Sequence, residues 1–91
     1  MNTTITTTAQ KALRTAAALF RAGHLHNTAD LHRAIRMGAS ARAGFYAFRA
    51  LRLLVCGTRE PADLSGKLTQ LSPTQIGDLC ASAIPLVEDV P

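Results

Sequence analysis

The stretch SARAGFYAFRALRLLVCG, Ser40 to Gly57, decides the fold. It opens on a serine, whose hydroxyl as an N-cap takes an orphan amide of a helix's first turn. It closes on a glycine, the usual left-handed stop. Between them Ala43, Phe45, Ala47, Phe48, Leu51, Leu54 and Val55 are apolar over more than half of a helical circumference. A helix so apolar is expected to be the central, most buried element of a bundle. Arg42, Tyr46, Arg49 and either Arg52 or Leu53 trace a rim along one side.

The segments on either side of this helix have the same grammar. Upstream, Asn27 or Thr28 caps a second helix, with Asp30 in its first turn where negative charge meets the positive helix end. Leu31, Ala34 and Ile35 face inward, His32, Arg33 and Arg36 face out, and Gly38 ends the helix. Before that, Ala9, Leu13, Ala16, Ala17 and Phe20 make one face of a helix over 8–22, stopped by Gly23. The first seven residues, four of them threonine, lack periodicity and are expected to be disordered. Downstream, a fourth helix is expected from Glu60-Pro61 through Leu64, Leu68 and Leu71. Ser72-Pro73-Thr74-Gln75 is a capping box with proline at the first helical position, and Leu71 ahead of it can staple onto Ile76. Ile76, Leu79, Cys80, Ala83 and Ile84 form that fifth helix's stripe, which Pro85 ends. Residues 86–91 form a short acidic tail, in which Leu86 and Val87 can dock while Glu88 and Asp89 stay in water. The expected fold is all-α: one domain over 8–85, a compact orthogonal bundle of about five short helices.

Charge is distributed unevenly. Up to Arg59 there are nine Lys or Arg against the single acid Asp30; from Glu60 onward Lys67 stands against Glu60, Asp63, Asp78, Glu88 and Asp89. The two parts carry +8 and −4, and such asymmetry points to an acidic partner or to self-neutralisation within the fold or across a dimer. With 91 residues and 47% hydrophobic content, the chain has limited means to cover its own core, so a partner subunit, a homodimer above all, is expected. The candidates for uncovered apolar surface are Phe45, Tyr46, Phe48 and Leu53 of the central helix, with Leu86 and Val87 of the tail. No run approaches the roughly 18 apolar residues of a membrane span. The opening MNTTITTTAQ lacks the positive segment of a secretory peptide, so a cytoplasmic location is expected and no membrane partner.

Catalytic and metal chemistry find little footing. Cys56 and Cys80 lie in apolar helical runs and read as small hydrophobes. His24, His26 and His32 have neither CxxC nor HExxH context and read as solvated or capping residues. The acids are spaced along surfaces, and there is no glycine-rich phosphate loop. The expectation is a non-enzyme with no cofactor and no metal.

Two segments half-match a helix-turn-helix. In 29–51, Ala34 and Gly38 suit the small residue and the turn, and Arg42, Arg49 and Arg52 would lie on the reader helix, but Gly44 stands where a branched apolar residue should lock the pair. In 62–82, Gly66, Leu71, Ile76 and Leu79 fit the steric pattern. The would-be reader helix, however, offers Thr74, Gln75, Asp78 and Ser82 with no base to meet phosphates. Short helices joined by Gly or Ser-Pro turns also occur in any small orthogonal bundle.

The threonine-rich start, the Ala/Arg-rich helices and the Leu71-Ser72-Pro73-Thr74-Gln75 turn resemble the compact accessory proteins of temperate phages, satellite phages and plasmids. That resemblance implies an antirepressor-like role, binding and disabling another protein, with small DNA-binding regulators as the other branch. It carries over no site residues. The resulting expectation is a regulatory protein with a protein partner, DNA being the alternative. Contact would run through Arg33, Arg36, Arg42, Tyr46, Arg49 and Arg52.

Overall fold

The computed structural model describes residues 3–90, all helices and connections with no strand among them. The helices are α1 (Thr3–Arg21), α2 (Thr28–Gly38), α3 (Ala41–Cys56), α4 (Leu64–Leu68) and α5 (Pro73–Ala83), followed by a 3₁₀ turn at Ile84–Leu86. Three starts follow the expected caps. The Asn27 side chain accepts the Asp30 amide, Ser40 accepts that of Ala43, and Ser72 and Gln75 close both arms of the capping box. Gly57 ends α3 at φ 77°, a left-handed conformation open to glycine, with its N–H donating to the Leu53 carbonyl.

The centre of the bundle is α1, not α3. Thr6, Ala9, Ala12, Leu13, Ala16, Ala17 and Phe20 are buried along it, and it packs against α2, α3 and α5. Alanine and glycine allow this. Gly77 of α5 lies so close that a Cβ there would stand 3.0 Å from the Phe20 Cβ and 3.1 Å from the Ala17 carbonyl oxygen. In α3 the buried face is likewise built of small residues, Ala43, Gly44, Ala47 and Ala50 with Leu51. Phe45 and Leu54, expected inside, are exposed. A hydropathy reading ranks phenylalanine above alanine, whereas close helix approach selects the smaller side chain.

Both chain ends differ from expectation for one reason. Of the seven residues expected to be disordered, Met1 and Asn2 lie outside the described residues, as does Pro91 at the other end; Thr3 to Thr7 are helical. Threonine is a poor helix former, but Thr6 has long-range partners: its hydroxyl donates to the Glu88 carbonyl at 3.1 Å and accepts the Val90 amide at 3.1 Å. Gln10 adds a bond to the Ile84 carbonyl at 3.4 Å. Val87 and Val90 are buried against this seam, and Asp89 alone of the tail's two acids is exposed. The acidic tail is therefore a docked strap that holds the first turns of α1.

The fourth helix is shorter than expected. Glu60, preceding Pro61, is disfavoured from helical geometry, and Asp63 caps α4 by accepting the Gly66 amide. A Cβ on Gly66 would run into that Asp63 carboxylate, so the glycine serves the cap. No helix of the described residues is long and apolar enough to cross a membrane.

Candidate binding face

The outer surface of α3 carries Arg42, Phe45, Arg49 and Arg52 at spacings of 3, 4 and 3, which puts all four on one stripe. Phe45 stands in the middle of this row, 53% exposed. Tyr46 meets its ring edge-on at 5.4 Å between centroids, and the Arg49 guanidinium lies 5.5 Å over it. Phe45 is thus held by a cation–π and an aromatic contact without being covered.

Beside this stripe, between the end of α2 and the first turns of α3, runs a groove of about 390 Å³ lined by Arg36, Ala39, Ser40, Ala41, Gly44, Phe45 and Phe48. Its far wall is fixed: Phe48 stacks on His32 with centroids 4.7 Å apart and rings 25° from parallel, and His32 Nε2 is 3.2 Å from the Ser65 hydroxyl. His32 was expected to be solvated or capping. Partial burial, then the nearby charges of Arg36 and Arg52, hold its pKa below the ordinary histidine value, so it is a neutral ring at pH 7 that ties α2 to α3 and α4. A second, more apolar groove of about 310 Å³ lies across α2, where Met37, 81% exposed, faces Leu19 and Leu25.

The six residues expected to make contact are not equivalent. Arg36 edges the main groove, and Arg42 and Arg52 join it on the α3 stripe. Arg33 turns to the second groove and pairs with Asp30 at 3.6 Å. Tyr46 is half-buried and reaches the face only through Phe45. Arg49 is taken by the tail: its Nε donates to Glu88 at 2.7 Å and its Nη2 at 3.2 Å, with only 21% of the side chain exposed. Arg59 adds a second positive charge 3.7 Å from Glu88 and donates to the Leu86 carbonyl. The hydrogen bonds from Arg49 hold the Glu88 carboxyl below the usual carboxylate range, and the charges of Arg49 and Arg59 act in the same direction. Arg21 pairs with Asp78 at 2.8 Å across α1 and α5. Part of the charge asymmetry is thus cancelled within the chain. Among the described residues Lys11, Arg14, Arg36, Arg42, Arg52 and Lys67 form no ion pair, and three of these lie on this face.

Phe45 and Phe48 were expected both on the apolar face of α3 and as uncovered anchors for a partner, and the structure bears out the exposed placement for Phe45. His32 was missed as part of the face. The signal for the exposure of Phe45 was present: it falls on the arginine stripe, while Ala43, Ala47 and Ala50 with Leu51 form the opposite one.

The two helix-turn-helix placements also resolve differently. In the first, Gly44 is buried, and Ile35 of α2 supplies the branched contact, its Cγ2 3.7 Å from where a Gly44 Cβ would stand. The lock exists, with its large and small members exchanged. In the second, α4 is a single short turn packed on α3, and α5 packs chiefly on α1. Asp78 is engaged with Arg21, and Ser72 and Gln75 with each other.

Cys80 is buried among apolar side chains, which pushes its thiol up to about 12 and makes it a poor nucleophile. No known protein family, curated protein or solved structure matches the chain.

Proposed function

We propose that this chain is a non-enzymatic regulatory protein that docks onto another protein through the α2–α3 face, in the manner of an antirepressor or inhibitor. One observation carries the reading: Phe45 is held in water at the centre of a row of arginines. Leaving about half of such a ring exposed forgoes roughly 1 kcal/mol of burial. Aromatic and arginine side chains are the types that dominate the energetic centres of protein interfaces. Arg36, Arg42 and Arg52 around it favour a partner of acidic surface by charge complementarity.

Duplex DNA is the second reading, favoured by the α2–α3 packing through Ile35 and Gly44. It ranks behind because Arg33 and Arg49 already have carboxylate partners, and electrostatic affinity for DNA scales with the phosphates neutralised.

A photoreactive phenylalanine analogue placed at Phe45, with Ala18 on the exposed side of α1 as control position, tests the two. The protein reading expects a discrete protein adduct from position 45 that survives nuclease and is absent from position 18. Adducts that vanish with nuclease, together with a salt-sensitive mobility shift of duplex DNA, would transfer the assignment to DNA.

A further inference from the structure

The α2–α3 groove has the makings of a specific seat. Its floor is Ala39, Ala41 and Gly44, which leave room that larger side chains would fill. Its walls are Phe45 and Phe48, the latter braced by His32. The first turn of α3 opens beside it. Ser40 satisfies the Ala43 amide, so the amides of Ala41 and Arg42 at the helix start have no intrahelical carbonyl to bond. Arg36 edges the groove and Arg42 stands in that same first turn. An apolar slot bordered by guanidinium groups and a helix N-terminus calls for an apolar side chain flanked by carboxylates.

The chain itself displays such a ligand on the same helix. In the strap Val87-Glu88-Asp89-Val90, the Glu88 carboxylate sits on Arg49 and Arg59 while Val87 and Val90 are buried, Val90 to 1% exposure. The arginine row of α3 thus already takes one segment that combines apolar and acidic residues, and the row continues past Phe45 to Arg42 with no carboxylate opposite it.

We infer that the groove receives an acidic–apolar segment of the protein partner. An aromatic or branched aliphatic side chain of that segment lies over Gly44 between Phe45 and Phe48, and carboxylates on either side meet Arg36 and Arg42. This rests on the protein-binding reading of the same face.

The test is an NMR titration of the full isotope-labelled chain with three synthetic peptides and one duplex oligonucleotide. The first peptide is glutamate-rich with one central Phe; the second has Ser in place of the Phe; the third has Lys in place of every Glu. The inference expects the first peptide to shift the amides of residues 39–48. Its Kd should weaken about tenfold or more on exchanging Phe for Ser, and equally in the protein variants Phe45→Ala and Arg36→Glu. Both variants replace exposed side chains, and cooperative melts within a few degrees of the parent establish that they fold. Equal binding of the Phe and Ser peptides, or shifts centred on Leu19 and Met37, would overturn the groove assignment and leave the protein-binding reading standing. An absence of shifts with the first peptide would overturn it likewise. Shifts of residues 39–48 by the oligonucleotide alone would overturn both.

Discussion

Two helix contacts in this bundle each present a glycine to a neighbour, and they are built to opposite ends. Where α5 crosses α1, Gly77 is pressed against Phe20 and the Ala17 carbonyl, and no space is left over. Where α2 meets α3, a Cβ on Gly44 would meet Ile35 only at ordinary van der Waals distance, and beside it a groove of about 390 Å³ stays open under an exposed Phe45. The outer edge of the first contact is tied by Arg21 to Asp78, whereas Arg36 and Arg42 at the second have no acidic partner among the described residues. Stability is concentrated in the first region. The second keeps apolar surface and positive charge uncovered, as the proposed docking role requires.

The largest effect expected from this contrast is on paired aromatic truncations. Phe20→Ala should cost about 3–5 kcal/mol of unfolding free energy by opening a core cavity, enough to unfold much of a domain this small. Phe45→Ala should cost only about 1 kcal/mol, because the ring is already about half in water and its other contacts, with Tyr46 and Arg49, are at the surface. Urea melts of the two variants decide it, and equal losses would erase the contrast.

The glycines themselves come next. Gly77→Ala meets backbone at 3.1 Å, an overpacking cost of about 1–3 kcal/mol that outweighs the roughly 1 kcal/mol alanine gains in a helix. Gly44→Ala has room beside Ile35 and should stabilise by about 0.5–1 kcal/mol. Midpoints of opposite sign relative to the parent are the expected result.

A smaller effect lies in pH. His32 has a depressed folded pKa, so the unfolded chain binds its proton more tightly. The stability His32 supports is complete above its unfolded value, about 6.5, and is lost as pH falls through the lower folded value. Glu88 is also depressed; its contribution is complete above the ordinary carboxylate range and disappears as pH falls through its folded value. Melting temperature should therefore decline in two steps on acidification, the first removed by His32→Gln and the second by Glu88→Gln. The smallest effect belongs to Arg21→Ala, about 0–1 kcal/mol, because both members of that ion pair are half or more exposed.

What could be read in the sequence was local. The starts of α2, α3 and α5 follow from Asn27, Ser40 and the Ser72–Gln75 box, whose partners lie three residues away. What could not be read depended on distant partners. The threonine helix is held by Glu88 and Val90, more than eighty residues on. Arg49 stands on the arginine rim in the sequence and is removed from it by Glu88, 39 residues later. Phe45 looked like core because hydropathy ranks it first, while the contacts of α3 are made by alanines and Gly44. Of the candidate face, the arginines Arg36, Arg42 and Arg52 and the anchor candidates Phe45 and Phe48 were legible; the groove between them and the bracing by His32 were not.

The central claim is that the α2–α3 corner serves binding and contributes little to stability. It is tested most directly by measuring, on one preparation of Phe45→Ala, both the thermal melt and the Kd for the protein crosslinked at position 45. The account predicts a melting temperature lowered by at most a few degrees and a Kd weakened about tenfold or more. A melt lowered as far as that of Phe20→Ala with an unchanged Kd would contradict it.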